Sequence, residues 1–410
     1  MRTVLMIAFH FPPFAGSSGV QRTLRFVQNL PALGWRPVVL TVRPAAYEQT
    51  SDDLLSSVPE IVKVHRSVAL DAQRHLSWRG RYPGFLARPD RWASWAAGAV
   101  PGILKLIRTE RPSIVWSTYP IATAHIVGAM AHRWSGVPWV ADFRDPMAQD
   151  GYPEDPATWR WFSRIERHAL EHAAASVFTT RGAADTYKAR YPDCAPKVVT
   201  IENGYDEESF AGLEDRGQSP LRGKVILLHS GVVYPVERDP SALFAALARL
   251  KHGGELSADT FGIRFRASGQ DALIERLARG QGVADLIELA PSLSYRAALA
   301  EMVDADGLLV LQASNCNEQI PAKTYEYLRT YRPIVGLADP AGDTGDLLKR
   351  SGVPYLSSLH DVDGIVRVLR SYLADAAAGT ITRPAPDGIR GHSRAARSRQ
   401  LAELFDRVAS

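Results

Sequence analysis

The chain of 410 residues is longer than one hydrophobic core normally supports and suits two domains. Its 46% hydrophobic and 22% charged residues are normal for a soluble globular protein. Cys194 and Cys316 are its two cysteines, so a disulfide framework is excluded and a reducing cytoplasm is expected. No stretch approaches the ~20 apolar residues that a membrane-spanning helix needs.

Charge is divided unevenly along the chain. Residues 1–200 carry 24 Lys and Arg against 16 Asp and Glu, a net charge of +8, whereas residues 201–410 carry 24 against 28, a net charge of −4. The basic first half indicates an anionic partner such as a phosphate or a lipid headgroup, although ordinary scatter of surface charge gives the same count. Nucleic acid is not expected as a partner, because no recognised nucleic-acid-binding module accompanies the basic residues.

Strands and helices are predicted to alternate from the N-terminus onward. The first segment, 4–9, is apolar throughout, as a parallel strand buried on both faces requires, and a helix with apolar residues at i, i+3, i+4 spacing follows it. The predicted strands of this half are 4–9, 38–42, 112–116, 138–141, 174–178 and 197–201, with helices over 20–30 and 121–134. This alternation is typical of a doubly wound parallel sheet.

A second series of strands and helices follows a loop rich in glycine and acidic residues, 204–222, which is the predicted domain linker. Its predicted strands are 225–229, 261–267, 287–289, 307–311 and 333–337, and its predicted helices are 242–250, 273–279, 295–303, 322–330 and 394–408. The whole pattern predicts an α/β fold of two Rossmann-like doubly wound domains.

The segment Gly16-Ser17-Ser18-Gly19 lies between the first strand and the first helix. Ligands of open parallel sheets bind at the carboxyl ends of the strands, where glycines let the backbone approach a ligand and helix N-termini attract oxyanions. Ser17 or Ser18 serves equally well as a plain N-cap. The spacing is not G-x-G-x-x-G, and no acidic residue ends the second strand, which argues against a dinucleotide fold.

Two glutamates with seven residues between them flank a predicted helix start in the second half. Glu318 precedes Pro321, a favoured first-turn residue, and Glu326 lies about one and a half turns inside the helix. The carboxylate of Glu326 can accept both hydroxyls of a ribose, while the free N–H groups of the first turn and the charge of Lys323 suit a diphosphate. The alternative is an ordinary helix in which Glu326 is solvated.

Two other patterns are similar to metal sites but are better explained as structure. Asp304 and Asp306 form a D-x-D string, yet it ends a predicted helix just before a strand. His168 and His172 are four residues apart on a helix, but no third ligand and no H-E-x-x-H order accompany them. We therefore expect neither a metal nor a cofactor.

The stretch 74–111 contains eight basic and two acidic residues together with Trp78, Phe85, Trp92 and Trp95. Basic residues beside tryptophan can rest on an anionic membrane face. Trp92, Trp95 and the apolar residues that follow them can equally form a core stripe. Both interpretations remain open: a peripheral contact with the inner membrane face, or a helix packed on the core.

Several segments together resemble one enzyme family. They are Phe11-Pro12-Pro13 before the glycine-rich loop, residues 117–120, residues 138–146, Glu202 to Asp206, and the glutamate pair. In this order they are similar to family 4 glycosyltransferases of the GT-B fold, in which two Rossmann-like domains face a cleft. Residues 117–120 and 138–146 resemble a bacterial branch linked with surface polysaccharides and glycolipids.

The resemblance implies a retaining, metal-independent transfer of a sugar from a nucleoside diphosphate-sugar. The acceptor would be a hydroxyl of a glycan, a lipid-linked molecule or a small molecule. Residues 1–203 are then expected to bind the acceptor and residues 204–389 the nucleotide-sugar, with a helix over 390–410 crossing back onto the first domain.

The site residues of the family match positions of this chain one by one. Glu326 matches the acid that binds the ribose, Glu318 matches the acid that contacts the sugar ring, and Arg238 stands where a phosphate-binding lysine is common. The donor-binding set implied by the resemblance is Gly16, Ser17, Ser18, Gly19, Arg238, Pro321, Lys323 and Glu326. Val232 or Val233 replaces an arginine common in the family, so diphosphate binding is expected to depend on Arg238, Lys323 and helix dipoles.

A second departure concerns the catalytic set, Asp142, Arg144, Asp145 and Glu318. The usual active-site His-Asp pair aligns with Arg144 and Asp145, or with Asp142 if the alignment shifts. Arg144 cannot act as a base, because its guanidinium stays protonated, but it can stabilise developing phosphate charge. Either acid can orient the acceptor hydroxyl, and a purely structural Arg–Asp pair is the other interpretation.

Two alternatives to glycosyl transfer remain, because a fold does not determine a function. One is a sugar-nucleotide epimerase or hydrolase on the same architecture. The other is a non-catalytic protein that binds a nucleotide-sugar or a glycan, which the missing histidine and arginine favour.

Overall fold

The computed structural model describes residues 1–15, 19–213 and 223–410. Its contacts divide the chain into two compact units, Met1–Asn203 with Arg394–Ser410, and Gly204–Ser393. Each unit contains one parallel sheet, of seven strands in the first and six in the second. Within the described ranges, none of the helices combines the length and the apolarity that crossing a bilayer requires.

The first domain is a doubly wound α/β unit. Its strands are β1 Arg2–Ala8, β2 Trp35–Val42, β3 Lys63–Ser67, β4 Ile114–Thr118, β5 Trp139–Arg144, β6 Ala175–Phe178 and β7 Val198–Thr200. Its helices before the domain boundary are α1 Gly19–Asn29, α2 Ala72–His75, α3 Trp95–Gly98, α4 Val100–Glu110, α5 Thr123–Ser135, α6 Pro156–His172 and α7 Arg181–Arg190. The sheet order is β3-β2-β1-β4-β5-β6-β7.

Alternate residues of β1 face opposite sides of the sheet, and each side has its own core. Leu5 and Ile7 belong to one buried cluster, and Val4 and Met6 belong to the other. Because β1 is covered on both faces, all of its positions from Val4 onward must be apolar, and the sequence therefore identifies it clearly.

The second domain repeats this plan. Its strands are β8 Val225–Ser230, β9 Phe261–Arg266, β10 Ile287–Ala290, β11 Gly307–Gln312, β12 Ile334–Ala338 and β13 Leu356–Ser357. Its helices are α8 Ser241–His252, α9 Asp271–Gly280, α10 Tyr295–Asp304, α11 Ala322–Arg329, α12 Asp343–Arg350, α13 Val362–Ala378 and α14 Pro386–Arg390. The sheet order is β10-β9-β8-β11-β12-β13.

The last helix, α15 (Arg394–Val408), belongs to the first domain. The ring of Phe405 lies edge-on to Trp35 with centroids 5.3 Å apart, and Arg397 donates to a carboxylate oxygen of Glu202 at 2.6 Å. The helix begins at Arg394, where the strand and helix pattern predicts it, and residues 390–393, which were expected to accompany it, group with the second domain.

The predicted fold class of two Rossmann-like α/β domains is confirmed by the two parallel sheets. The predicted linker over 204–222 is wrong for its first part, because Tyr205 and Phe210 are buried in the core of the second domain. Residues 214–222 of that segment lie outside the described residues. The short strands β3 and β13 were not predicted, since β3 has a single apolar residue, Val64, and β13 has two residues.

Strand order reverses between β1 and β4 in the first sheet and between β8 and β11 in the second. At such a point the two neighbouring strands send their connections to opposite sides, and a crevice opens at their carboxyl ends. The second crevice is bordered by residues 231–240 and 313–321, which include Arg238, Glu318 and Pro321. Arg144 and Asp145 lie at the end of β5, next to β4.

Candidate functional site

The carboxyl end of β8 meets the start of α11 in the second domain. Lys323, in the first turn of α11, donates its ammonium group to the carbonyl oxygen of Ser230, the last residue of β8. The next residue, Gly231, has a φ of +120°, and a Cβ there would lie 1.8 Å from Nζ of Lys323. The positive φ favours glycine at this position, and a side chain there would also displace the lysine from its contact with Ser230.

Arg238 supplies a second positive charge near this contact. Its Nη1 donates to the carbonyl oxygen of Val232 at 2.7 Å, and its guanidinium lies 5.0 Å from the ring centroid of Tyr234. Its Nε is buried and has no hydrogen-bond partner among the described residues. This atom and the first-turn N–H groups of α11 can donate hydrogen bonds to the oxygens of a phosphate.

Glu326 lies on α11 one turn beyond Lys323. The hydroxyl of Tyr295, at the start of α10, donates to Oε1 of Glu326 at 2.8 Å and orients the half-buried carboxylate. Glu318 lies in the loop between β11 and α11. Pro321 is the N-cap residue of α11, whereas the sequence predicts it in the first turn. We name Gly231, Arg238, Lys323 and Glu326 the phosphate–ribose cradle.

The cradle disfavours a charged lysine in the absence of an anion. Burial, reinforced by the charge of Arg238 and opposed by Glu326, lowers the pKa of Lys323 to about 7. Burial also lowers the pKa of the neighbouring His229 to about 3, with Lys323 and Arg238 adding to the effect. A bound anion would favour the protonated lysine, because an opposite charge nearby stabilises the ionised form.

Three aromatic residues that support the cradle were missed at the level of sequence. They are Tyr295, Tyr327, whose hydroxyl accepts the N–H of Ser230 at 2.7 Å, and His229, whose Nδ1 lies 2.9 Å from the carbonyl oxygen of Leu309. The buried Nε2 of His229 has no partner among the described residues. Aromatic residues on helices and strands usually belong to a core, so the sequence gives no reason to assign these three to a site. Their hydrogen-bond partners are distant in sequence and become apparent only in the structure.

Asp142 is the centre of a buried ion pair in the first domain. Nε and Nη2 of Arg22, on α1, donate to its two oxygens at 3.0 and 3.2 Å, and Thr118 Oγ1 donates at 3.3 Å. Arg22 also donates to the carbonyl oxygens of Ile201 and Glu202. Asp142 has no exposed surface, so it joins α1, β5 and the end of β7 instead of presenting a carboxylate to an acceptor.

Arg144 and Asp145 occupy the end of β5. Arg144 has a left-handed backbone with φ of 63°, next to a register shift between β5 and β6, which is unusual for a residue with a side chain. Its Nη1 lies 3.3 Å from the carbonyl oxygen of Tyr119, and its Nε has no partner among the described residues. Asp145 is exposed, so it is the acid of this pair that an acceptor can reach.

His10 is a further residue of this region that was not among the predicted site residues. It follows β1, stacks on Phe14 with ring centroids 4.2 Å apart, and has a buried Nδ1 without a partner among the described residues. Burial, together with the nearby charge of Arg144, lowers the pKa of His10 to about 3. Its position directly after the first strand is the signal that could have identified it.

The glycine-rich segment is described only at its end. Gly16, Ser17 and Ser18 lie outside the described residues, so their predicted role in donor binding stays a prediction. Gly19 is the first residue of α1, and its carbonyl oxygen accepts from Nη1 of Arg144 at 3.4 Å.

The sequence patterns that are similar to metal sites have structural partners. Oδ2 of Asp306 accepts the N–H of Ile226 at 3.0 Å, which attaches the start of β11 to β8. His168 and His172 stack on each other along α6 with centroids 4.2 Å apart. Within the described ranges, no three His, Cys, Asp or Glu side chains come together as metal ligands.

Comparison with known proteins identifies the class of the first domain. Residues 18–204 match the family model of the glycosyl transferase 4-like domain. No curated protein matches this chain significantly. The first domain is therefore similar to the glycosyl transferase 4-like domain, as the sequence motifs predict.

Solved structures, two of them named as glycosyltransferases, match the chain over almost its whole length. A glycosyltransferase from Rickettsia africae ESF-5 is 13% identical, with a TM-score of 0.64 over 99% of this chain and 98% of that chain. HepE (Alr3699) from Anabaena, solved with UDP, is 12% identical, with a TM-score of 0.66 over 99% of this chain and 100% of that chain. The lipopolysaccharide outer core galactosyltransferase WaaB, in its apo form, is 12% identical, with a TM-score of 0.63 over 99% of each chain. The chain has the GT-B fold of these proteins.

Replacement of Gly231 tests the contact at the centre of the cradle. Gly231→Ala should destabilise the protein by about 1–3 kcal/mol, because its Cβ meets the Lys323 ammonium in a backbone conformation that side chains disfavour. Chemical denaturation measures the change. Gly280→Ala is the matched control, since its Cβ would meet nothing within 4 Å and its backbone is ordinary. Equal stability of both variants would contradict the assignment.

Proposed function

We propose that this protein is a retaining glycosyltransferase that moves a sugar from a nucleoside diphosphate-sugar to a hydroxyl of a glycan or lipid-linked acceptor. The observation that carries the proposal is the phosphate–ribose cradle at the strand reversal of the second sheet, in a chain whose first domain is glycosyl transferase 4-like. The fold alone does not decide the reaction, since one architecture hosts many chemistries.

The donor binds the second domain through four groups. Lys323, Nε of Arg238 and the first turn of α11 hold the diphosphate, and Glu326 accepts the ribose hydroxyls. Glu318 contacts the sugar ring. The UDP bound to HepE supports a uridine nucleotide as the first ligand to test.

The transfer proceeds with retention at the anomeric carbon. The bond from this carbon to the diphosphate oxygen breaks, the acceptor oxygen bonds to the same face, and the acceptor proton passes to the departing diphosphate. Arg238 and Lys323 stabilise the charge that develops on the diphosphate. In the first domain, exposed Asp145 orients the acceptor hydroxyl, and Arg144 adds positive charge.

A lipid-linked acceptor fits an exposed aromatic loop of the first domain. Trp78 and Phe85 are 78% and 70% exposed, whereas Trp95 is buried in the core. Arg91 pairs with Asp71 and Glu48, and Arg88 pairs with Asp155. Of the basic residues in this loop, Arg79 and Arg81 are therefore the ones best placed to meet an anionic membrane beside Trp78 and Phe85.

Product analysis tests the reaction itself. In the presence of EDTA, incubation with a panel of nucleoside diphosphate-sugars and with glycan or lipid acceptors should yield a glycosylated acceptor of retained configuration. Loss of turnover in EDTA with recovery in Mg²⁺ would overturn metal independence. An epimerised or hydrolysed donor without acceptor would favour the sugar-nucleotide epimerase or hydrolase, and donor binding without any turnover would favour a binding protein.

Removal of the Glu326 carboxylate tests ribose binding. Glu326→Ala should weaken nucleoside diphosphate binding by roughly 1.5–3 kcal/mol, or about 10- to 150-fold, because charge-assisted hydrogen bonds are lost. Titration calorimetry with UDP measures the affinity. Glu275→Ala, which removes an exposed carboxylate of α9, is the control. Unchanged affinity in a folded Glu326→Ala protein would exclude the ribose role.

The lowered pKa of Lys323 predicts proton uptake on binding. At pH 8 the free lysine is mostly neutral, since its pKa is about 7, and a bound diphosphate raises that pKa again. Nucleotide affinity should therefore rise as the pH falls from 9 to 7. Calorimetry in two buffers of different ionisation enthalpy should detect the proton taken up. Lys323→Gln should abolish the proton uptake, and the control Lys349→Gln should preserve it. If proton uptake survives in Lys323→Gln, a group other than Lys323 binds the proton.

A further inference from the structure

A groove runs between α5 and α6 on the first domain. Its volume is about 450 Å³, within the ~300–1,000 Å³ range of small-molecule sites. Ile126, Ala129, Met130 and Trp134 form one wall, Trp161 and Ile165 form the other, and Trp139 of β5 contributes to the lining. From Ile126 to Trp134 the wall spans eight residues of helix, or about 12 Å. We call this feature the α5–α6 groove.

The walls of the groove expose large aromatic side chains. Trp134 is 45% and Trp161 is 40% exposed, although both border an apolar surface. Tryptophan is favoured where an apolar environment meets water, as at a membrane interface. The groove therefore combines an apolar interior with an interfacial rim.

The charge around the groove is positive. Arg133 and Arg164 belong to the lining and are positively charged at any physiological pH. Among the described residues, no carboxylate belongs to the lining. Neither guanidinium has an ion-pair partner among the described residues, and that of Arg164 lies 6.0 Å from the ring centroid of Trp161. Arg160 and Arg167 extend this charge along the exposed side of α6. An anionic group at the rim would complement it.

A buried histidine also belongs to the lining of the groove. Nδ1 of His125 lies 2.8 Å from Oγ of Ser117, which accepts the indole N–H of Trp139 at 2.8 Å. The Ser117 hydroxyl is thus free to donate to Nδ1, which places the imidazole proton on Nε2. His125 is 1% exposed, it lines the groove, and its Nε2 has no partner among the described residues. The imidazole is therefore part of the buried support beneath the groove and presents no accessible nitrogen to a ligand.

We propose that the α5–α6 groove seats one hydrocarbon chain of an anionic membrane lipid, with Arg133 and Arg164 holding the headgroup. The interior takes the chain, and the tryptophan rim lies at the interface. The site lies within one domain and apart from the proposed catalytic residues. It goes beyond the proposed transfer reaction and does not depend on it.

The exposed loop of Trp78 and Phe85 continues this surface. Arg88, three residues after Phe85, pairs with Asp155 at 3.5 Å, and Asp155 caps the N-terminus of α6. The loop therefore lies beside the helix that forms one wall of the groove. One membrane can contact both, and this continuity favours a bilayer lipid over a free amphiphile as the occupant.

The test measures tryptophan quenching in the full-length protein without any sugar nucleotide. The first probe is dodecyl phosphate below its micellar concentration. The second is a set of vesicles of brominated phosphatidylglycerol or brominated phosphatidylcholine, since bromine quenches a tryptophan that it contacts. Both probes should change the fluorescence of the wild-type protein, and the anionic vesicles should act more strongly than the neutral ones.

Two variants separate the groove from the rest of the surface. Ala129→Phe fills the groove and should abolish binding of dodecyl phosphate. The exposed double variant Arg133→Glu/Arg164→Glu should weaken vesicle binding at least about tenfold, because each basic residue near an anionic surface contributes about fivefold. Lys105→Glu/Arg108→Glu on α4 makes the same change of charge outside the groove and should bind vesicles like the wild type. Thermal unfolding confirms that each variant is folded.

Three outcomes would overturn the proposal. The first is quenching that Ala129→Phe and the arginine double variant leave unchanged. The second is binding of dodecyl phosphate without binding of anionic vesicles, which would assign the groove to a free amphiphile. The third is an equal loss of vesicle binding in the α4 control, which would leave only general electrostatic attraction. Because no donor is present, a negative result here leaves the transfer assay unaffected.

Discussion

The reversal of strand order in each sheet is the constraint on which the rest of the molecule depends. Parallel strands need crossover connections of one hand, so a sheet can cover both of its faces only if the connections change side at one point. The chain does this between β1 and β4 and again between β8 and β11. At each reversal no crossover connection covers the ends of the two central strands or the helix N-termini beside them. The candidate residues of the first domain, Arg144 and Asp145, and those of the second, Arg238 and Lys323, lie at or beside these ends.

The two domains treat buried charge in opposite ways. In the first, Arg22 and Asp142 form a buried ion pair whose other hydrogen bonds go to Thr118 and to the carbonyl oxygens at the end of β7. In the second, Lys323 and Arg238 lie close together, and Lys323 is bonded to the carbonyl of Ser230. A paired charge of the first kind stabilises geometry, whereas like charges of the second kind are ready for an anion.

The positive charge of the first half also divides into two groups in the structure. Arg88 and Arg91 are engaged by carboxylates, and Arg36 and Lys63 share Glu110. The arginines along α6 and at the end of α5 keep their charge at the surface, beside exposed tryptophans. The net charge of residues 1–200 therefore understates how basic the surface along α6 and the end of α5 is.

The sequence by itself determined the fold class, most of the strands and the second-domain candidates. It could do so because a strand buried on both faces must be apolar throughout, as β1 is, and because Pro321, Lys323 and Glu326 share one short helix. Only the tertiary structure decided that Asp142 is sealed by Arg22, that Gly231 admits Lys323, and that α5 and α6 enclose a groove. These features join residues that are up to 120 positions apart. Their partners come together only when sheet order and helix packing are set, so no local pattern along the chain could have revealed them.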